Sequence, residues 1–185
     1  FMSAPRLDDV MCAFSCIKAL TDNKENSKSV NVCAIFDNEE VGSTTKQGAD
    51  SSFLYDVLSR ISMCMGKDSE DFIRACASSF MLSADNAHAV HPNYKEKADP
   101  TNRPYMNKGI VIKYNANQKY TTDAISASIF KEICKKAGVE VQSYVNRSDI
   151  PGGSTLGNIS NSHVSLNTVD IGLAQLAMHS PYETA

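Results

Sequence analysis

Residues 110–145 read IVIKYNANQKYTTDAISASIFKEICKKAGVEVQSYV, and this stretch decides the fold class of the chain. Residues 110–114 and 139–145 are short runs rich in β-branched and aromatic residues, a composition that favours strands. Between them, residues 122–137 place apolar side chains at helical spacing. The stretch therefore predicts a strand, a helix and a second strand in succession.

The helix in this stretch carries sequence signals at both ends. Thr121 or Thr122 is available as its N-cap, and Gly138 follows its last turn as a stop. One face of the helix is lined by β-branched residues spaced four apart, which are Ile125, Ile129 and Ile133. We therefore expect a helix that begins after one of the two threonines and ends before the glycine.

The same alternation of strands and helices continues on both sides. Strands are predicted over three further apolar runs, residues 30–36, 80–82 and 164–171. Helices are predicted over residues 10–20, 53–65 and 72–76, and a short one after the Gly-rich turn at 151–155. This order predicts an α/β protein whose sheet is covered by helices on both faces, a three-layer α/β/α sandwich.

The composition excludes several classes of protein. With 185 residues, 42% hydrophobic and 21% charged, the chain matches an ordinary folded domain better than a disordered segment. Its 18 Lys and Arg are outnumbered by 21 Asp and Glu, so no basic excess argues for nucleic acid as a partner. No apolar run approaches the ~20 residues that span a bilayer, and residues 1–10 resemble no export signal. We expect a cytoplasmic protein that contacts neither nucleic acid nor membrane.

Acidic side chains and one histidine follow the predicted strands. In open α/β sheets, ligand sites form at the carboxyl ends of strands, so residues delivered there are candidates for chemistry. An acidic pair follows the strand at 30–36, an aspartate follows the strand at 80–82, a histidine follows the last strand, and a further aspartate precedes the first helix. These candidates are Glu39, Glu40, Asp85, His179 and Asp8. We expect them to converge at one edge of the sheet.

Carboxylates packed together repel one another unless a cation lies between them. Without a cation such side chains take up protons, whereas a divalent cation makes the same arrangement favourable. Oxygen and nitrogen ligands without cysteine suit catalytic zinc, cobalt or manganese better than a structural thiolate zinc site. The alternative is that Glu39 and Glu40 form a solvated acidic pair, as most Glu residues are exposed. Taken together, the candidates predict a site for a divalent metal.

Five parts of the chain resemble one family of enzymes. The first is FDNEEVGSTTKQGA at 36–49, and the others are PRLDD at 5–9, LSADNAHAVHPNY at 82–94, IVIKYNANQKYTTDA at 110–124 with RSDIPGGSTLG at 147–157, and QLAMHS at 175–180. In order and spacing they resemble the aspartyl aminopeptidase-type zinc metallopeptidases. The resemblance implies a mixed, mainly parallel sheet, and two divalent metal ions as cofactors, zinc or otherwise cobalt or manganese.

The resemblance also implies a role for each residue of the metal site. Asp8 would be the carboxylate that bridges two metal ions, with Glu40 a ligand of one ion and Asp85 a ligand of the other. His179 would be a late ligand, and Glu39 would be the general base that takes a proton from the attacking water. Adjacent glutamates can differ in role because successive side chains diverge.

Asp9 stands beside the bridging aspartate and allows two interpretations. It could support the metal ligands without binding metal, or it could cap the helix predicted from residue 10. We favour the cap, because Asp is among the preferred N-cap residues.

Four further residues are predicted to contact the substrate. By resemblance, His88 lines the substrate pocket or orients the neighbouring metal-binding aspartate. Gly153 and Thr155 belong to the Gly-rich turn, where backbone can approach a ligand and the following helix offers unpaired N–H groups. Lys113 is the candidate for recognising an acidic side chain on the first residue of the substrate, with Lys119 as the alternative. A carboxylate that enters an acidic pocket needs a cation beside it. Lys113 could equally be an ordinary exposed lysine of a half-buried strand.

The family carries a first metal-binding His, within a His-x-Asp motif, upstream of an inserted oligomerisation domain. No such motif precedes Asp8 in this sequence. We therefore expect residues 1–185 to be a metallopeptidase catalytic domain that is incomplete at both ends, without the upstream His segment and the oligomerisation domain. The chain alone could then bind one metal ion or none and be inactive, whereas the intact protein is expected to be a homo-oligomer.

These features predict a zinc-dependent aminopeptidase that uses an activated water to hydrolyse the N-terminal residue of peptides. A preference for Asp or Glu at that position is expected. A metal-dependent deacylase is one alternative, because it shares such a site but acts on N-acyl substrates. A structural subunit that has lost catalysis is the other.

Overall fold

Strands and helices alternate along the chain in a computed structural model that describes residues 1–23 and 28–185. In chain order the elements are β1 Ser3–Ala4, α1 Leu7–Asp22, α2 Phe53–Cys64, α3 Ser69–Ser78, β2 Phe80–Ala84, β3 Ala87–His88, β4 Ile110–Tyr114, α4 Ala124–Ala137, β5 Val141–Val145, α5 Leu156–Asn161, β6 Asn167–Gly172, β7 Ala174–Gln175 and β8 Glu183–Thr184. Two 3-10 turns, Glu39–Val41 and Lys95–Lys97, lie in the connecting segments. The predicted α/β class is confirmed.

A mixed sheet of four strands forms the centre, in the order β2-β6-β4-β5. β2 runs parallel to β6 and β4 runs parallel to β5, while β4 and β6 are antiparallel with Ile112 opposite Ile171. The expected mixed, mainly parallel sheet is therefore confirmed. Two short ladders join β1 with β8 and β3 with β7, and an isolated bridge joins Leu176 to Thr184.

Helices cover both faces of this sheet. On one face α4 packs through a buried apolar cluster of Ile112, Phe130, Cys134, Val169 and Ile171. Successive strand residues point to opposite faces, so Asp170 of β6 lies on the other face. There α5 comes so close to the sheet that a Cβ on Gly157 would meet the Asp170 carboxylate at 2.6 Å. The layers are thus helix, sheet and helix, as predicted.

The N-terminus of α4 is capped by a residue other than the predicted threonines. Asp123 is the N-cap, and its side chain accepts a hydrogen bond from the backbone N–H of Ser126 at 2.7 Å. Thr121 and Thr122 are instead bonded to Asp170 of β6, the first through its N–H and hydroxyl and the second through its hydroxyl oxygen. The predicted cap was wrong because Asp170 engages both threonines, Thr121 through its carboxylate and Thr122 through its backbone N–H.

The isoleucine stripe of α4 faces solvent. The residues at this spacing are 42% to 69% exposed, and they are Ile125, Ile129 and Ile133. The sheet is contacted by different residues, the buried Phe130 and Cys134. Gly138 ends the helix as predicted, in the left-handed conformation with φ 67°. Periodicity identifies a face of the helix, but packing decides which face meets the sheet.

Residues 30–36 form no strand, although their composition predicts one. Their apolar side chains are about half exposed, at 58% for Val30 and 49% each for Val32 and Ile35. A β-rich sequence forms a strand where a neighbouring backbone completes the ladder, and within the described residues no strand pairs with this segment. The strand prediction was wrong for this reason.

The remaining predicted elements are confirmed with small shifts at their ends. The helix predicted from residue 10 is α1, and those predicted over residues 53–65 and 72–76 are α2 and α3. The predicted short helix after the Gly-rich turn is α5. The strand at 110–114 is β4, and those predicted over residues 80–82, 139–145 and 164–171 are β2, β5 and β6. Among the described residues, none of the helices has the length and apolar character needed to cross a bilayer.

Gly172 lets two backbones approach each other beside Asp85. The N–H of Asp85 donates to the carbonyl of Ile171 at 3.0 Å, which brings the end of β2 against the end of β6. A Cβ on Gly172 would overlap the carbonyl oxygen of Asp85. Glycine therefore fits this position without a backbone shift, and larger residues do not.

We predict that Gly172→Ala destabilises the full-length protein, because the added methyl group has to displace the Asp85 backbone. Overpacking of this kind costs about 1–3 kcal/mol, so the variant should melt at a lower temperature than the parent. Gly153→Ala is the matched control, because a Cβ there meets no atom within 4 Å. Equal melting temperatures for the two variants would contradict the steric explanation.

Candidate metal centre

The predicted site residues line one cavity of about 920 Å³. They are Asp8, Glu39, Glu40, Asp85, His88, Lys113, Gly153, Thr155 and His179. Lys119, the alternative to Lys113, is exposed and lies outside the cavity lining. The convergence expected from the strand ends is therefore present, even though the segment before the glutamate pair forms no strand.

Asp8 lies at the start of α1, where the backbone is not yet helical, with φ −85° and ψ 111°. Its side chain is 4% exposed, and its Oδ2 lies 3.2 Å from Nε2 of His179. Its other oxygen, Oδ1, is buried and has no hydrogen-bond partner within the described structure. A buried carboxylate oxygen without a donor has the capacity to bind a cation.

Glu39 and Glu40 occupy a 3-10 turn between two residues in the left-handed conformation. These are Asn38, with φ 61°, and Gly42, with φ 102°. Oε2 of Glu40 lies 3.0 Å from Nε2 of His179. Glu39 belongs to neither of the groups of metal-ligand atoms found among the described residues. Within this turn, Glu40 therefore contacts another candidate ligand, whereas Glu39 lies outside both ligand groups.

Asp85 follows β2 directly and forms an ion pair with Lys113 of β4. The Nζ of Lys113 lies 2.8 Å from Oδ2 of Asp85, and the lysine side chain is 3% exposed. The ammonium also lies 5.5 Å from the centroid of the Tyr120 ring, close enough for a cation–π contact. The interpretation of Lys113 as an ordinary exposed lysine was therefore wrong, since it is buried and lines the cavity.

Potential ligand atoms gather in two groups that share Asp8. One group contains Asp8, Glu40 and His179, the other contains Asp8, Asp9 and Asp85, and the atoms of each group lie within 4.8 Å of one another. A carboxylate common to both groups is placed as a bridge between two cations would be. The bridging role of Asp8 stays a prediction.

Asp9 does not supply a side-chain cap for α1, contrary to the interpretation we favoured. The backbone is not helical at Asp8 or at Asp9, where φ is −117° and ψ is 28°, so the regular turns of α1 follow Asp9; within the described residues, however, no backbone N–H of the first turn donates to the Asp9 carboxylate. Burial raises the pKa of Asp9 to about 8, and a hydrogen bond with the Cys12 thiol opposes part of this rise. Asp9 Oδ1 is also buried without a hydrogen-bond partner. Asp9 therefore belongs with the acidic group.

The acidic residues resist ionisation when no cation is present. Burial first, and then the charges of Asp85 and Glu40, raise the pKa of Asp8 well above its ordinary value. The pKa of Glu39 rises to about 7, again mainly through burial and then through Asp85 and Glu40. A divalent cation would favour the charged forms and occupy the buried oxygens that have no donor. Oxygen donors with one imidazole therefore fit zinc or a similar divalent ion.

His88 and Gly153 are both accessible from the cavity. His88 ends β3, and its pKa is lowered by partial desolvation and by the positive charges of Lys113 and His179. A lowered pKa favours the neutral imidazole, which can donate and accept one hydrogen bond. Gly153 is exposed in the Gly-rich turn, with open space around its Cα. Both positions are open to a substrate.

Thr155 anchors the Gly-rich turn and has no free donor. Its hydroxyl donates to Oδ1 of Asp170 at 2.6 Å, and its N–H donates to Oδ1 of Asn158 at 3.3 Å. Oδ2 of Asp170 accepts from the N–H and the hydroxyl of Thr121, at 2.6 and 2.9 Å. One buried carboxylate of β6 thus holds two loops of the cavity wall. Substrate contact by Thr155 stays a prediction.

Three buried polar residues adjoin the candidate ligands without having been predicted. They are Asn86, Gln175 and Glu183. Asn86 donates to Oε1 of Gln175 at 2.7 Å and to the carbonyl of Leu7 at 3.0 Å, and so links two segments of the site. Their positions in the sequence could have identified them. Asn86 directly follows the candidate ligand Asp85, and Gln175 and Glu183 lie four residues before and after His179.

Comparison with known proteins identifies the family. The profile described as aminopeptidase I zinc metalloprotease (M18) matches residues 1–185. A probable M18 family aminopeptidase 2 from Clostridium novyi is 55% identical over 180 residues, which cover 97% of this chain and 41% of that protein. A probable aspartyl aminopeptidase from Ricinus communis is 45% identical over 186 residues, which cover 97% of this chain and 38% of that protein. The chain thus spans about two fifths of the length of these relatives.

A solved structure shares the fold. The mApe1 dodecamer of Saccharomyces cerevisiae is similar with a TM-score of 0.84 and 32% sequence identity, over 98% of this chain and 41% of that one. Sequence and fold therefore agree with the resemblance seen in the motifs. The chain belongs to the M18 family of aminopeptidase I zinc metalloproteases.

Proposed function

We propose that the full-length protein is a zinc-dependent aminopeptidase that hydrolyses the first peptide bond of its substrates. The observation that carries this proposal is the meeting of two groups of metal-ligand atoms at Asp8, with Glu39 in the same cavity. Two ions are proposed because Asp8 belongs to both groups. Membership of a family described as zinc metalloproteases supports zinc as the metal.

Each residue of the site has a proposed task in hydrolysis. Asp8, Glu40, Asp85 and His179 hold the metal ions, which when bound supply a Lewis acid that polarises the scissile carbonyl and makes water more acidic. Glu39 stands outside both ligand groups and acts as general base. Burial raises the pKa of Glu39 in the metal-free chain, and bound cations would favour its charged form, which is the form that accepts a proton from water. The same carboxyl can then pass that proton to the leaving amine.

Carboxylate oxygens that the metal ions leave unoccupied favour substrates with a free N-terminus. Such an oxygen can accept a hydrogen bond from the free α-amino group of a peptide, and Glu40, half exposed to the cavity, can offer one. An N-acyl substrate lacks this amino group and gains nothing from the same carboxylates. This difference supports an aminopeptidase over a deacylase.

We propose a preference for Asp or Glu as the first residue of the substrate, read by Lys113. The ammonium group of Lys113 donates one hydrogen bond to Asp85 at 2.8 Å. Two of the three ammonium hydrogens are thus left for a substrate carboxylate. The Ricinus communis relative is named a probable aspartyl aminopeptidase, which agrees with this preference. His88 and the backbone around Gly153 and Thr155 are proposed to contact the rest of the substrate.

The domain arrangement and the assembly are part of the same proposal. Residues 1–185 are proposed to be part of a catalytic domain, because the matched relatives are more than twice as long. A homo-oligomer is proposed for the full-length protein, since the similar yeast structure is a dodecamer. We propose a cytoplasmic location for this assembly.

We predict that the zinc-loaded full-length protein releases the first residue from peptides and leaves N-acyl amino acids intact. Elemental analysis should find about two zinc ions per chain, the number implied by a bridging carboxylate. Activity on N-acyl substrates alone would replace the proposal with a deacylase. A zinc-loaded protein that hydrolyses neither substrate would indicate a structural subunit.

We predict that Glu39→Gln lowers kcat by about 100- to 10,000-fold while the zinc content stays near that of the parent, because an amide cannot accept the proton of the attacking water. Glu40→Gln should lose zinc together with activity, since it replaces a ligand oxygen. Zinc content and kcat are measured on the same preparations. Equal zinc loss in the two variants would refute the division of roles.

We predict that Lys113→Met lowers kcat/KM by about 10- to 100-fold for peptides that begin with Asp or Glu, and much less for those that begin with Leu. Lys119→Met is the control, because that lysine is exposed and outside the cavity lining. The zinc content of each variant must be checked, since Lys113 also contacts Asp85. A uniform loss for all three peptides would remove the specificity role.

A further inference from the structure

Glu183 is a buried acid in β8, the last strand of the chain described. β8 pairs antiparallel with β1, with Glu183 opposite Ala4, and β1 leads into α1 and Asp8. The residue is 2% exposed, so its carboxylate has been removed from water. Removing a carboxylate from water is costly unless hydrogen bonds compensate. The partners of Glu183 therefore show what this acid is used for.

Each oxygen of Glu183 accepts a hydrogen bond from the backbone of a metal-site residue. Oε2 accepts from the N–H of Asp8 at 2.9 Å, and Oε1 accepts from the N–H of His179 at 2.6 Å. The side chains of these same two residues lie 3.2 Å apart, between Oδ2 and Nε2. One carboxylate thus joins the two segments from which both side chains project.

His179 has a backbone conformation that requires support. Its φ is 66°, in the left-handed region, and Ala177 two residues earlier has a φ of 56°. For a residue other than glycine this conformation is unfavourable, and it persists where surrounding contacts hold it. The hydrogen bond to Glu183 holds the N–H of His179 in this turn. Without it, the turn is free to relax and to carry the imidazole away from Asp8.

Glu183 is not placed to bind metal itself. Both of its oxygens are occupied by backbone N–H groups, and it belongs to neither group of ligand atoms. Apart from the effect of its negative charge, which Glu183→Asp retains, any influence of Glu183 on the metal passes through Asp8 and His179. Partners of this kind, one step removed from a metal, commonly change metal affinity when they are mutated.

We propose that Glu183 is a positioning residue, which sets the distance between Asp8 and His179 and thereby the affinity of the site for zinc. The inference rests on the proposed function, because it takes this cavity to be a zinc site. It adds a residue that the resemblance to the family did not assign.

Three variants separate positioning from a general effect on folding. Glu183→Gln keeps the length of the side chain but turns one acceptor into an NH2 group, which faces a backbone N–H and cannot accept from it. Glu183→Asp keeps both oxygens on a side chain that is one methylene shorter, so it cannot span both N–H groups. Thr184→Ala is the matched control, because it removes the 2.9 Å hydrogen bond to Ser3 in the same strand without contact to either ligand.

The test measures zinc affinity of the full-length variants by competition with a chelator. We expect Glu183→Gln to bind zinc about 10- to 100-fold more weakly than the parent, and Thr184→Ala to bind as the parent does. At saturating zinc, kcat should return towards the parental value with KM unchanged, because the defect lies in metal occupancy. Hydrogen exchange in the metal-free proteins should be faster at Asp8 and His179 in Glu183→Gln than in the control.

Parental zinc affinity and parental exchange in a folded Glu183→Gln would overturn the inference. If that variant does not fold, the same two measurements on Glu183→Asp decide, with weaker zinc binding supporting the inference and parental binding overturning it. If the parent itself binds no zinc, the proposed function fails. The exchange rates would still show whether Glu183 holds the two segments, so the two failures are distinguishable.

Discussion

Buried negative charge is the constraint on which the rest of the site depends. The carboxylates of Asp8, Asp9 and Asp85 offer oxygens within 4.8 Å of one another, and burial is the largest cause of the raised pKa values of the first two. Lys113 compensates part of this charge through its 2.8 Å ion pair with Asp85. The oxygens that have no donor still require a cation or protons. Metal binding is thus favoured by the electrostatics of the chain as well as by its family.

The surrounding fold holds these charges in place through a few buried polar side chains. The ligands lie at the ends of elements or in turns, where the backbone has more freedom than within a helix or strand. Glu183 bonds the backbone of two of them, Asn86 bonds the residue before Asp8, and Asp170 holds two loops of the cavity wall. A buried polar group that is satisfied by a loop backbone favours one arrangement of that loop. The geometry of the site therefore depends on residues that carry no chemistry of their own.

Local signals were sufficient for much of the fold. The strand at 110–114 and the stop of α4 at Gly138 were predicted because strand composition and a left-handed glycine act within a few residues. The predictions were wrong where the local structure depends on a partner far away in the sequence. Residues 30–36 have the composition of a strand but no pairing backbone among the residues described, and Asp123 became the cap of α4 because Asp170 bonds the two threonines.

The sequence by itself determined which side chains could bind a metal, since acids and a late histidine follow its predicted strands, and the order of its motifs indicated the family. Only the tertiary structure decided how these side chains meet. It placed Asp8 in both ligand groups, turned Lys113 towards Asp85, and put Glu183 between the backbones of Asp8 and His179. The physical reason is that the chemistry of a side chain belongs to its residue. Its burial, its partners and its distance from another charge are set by contacts between segments far apart in the chain.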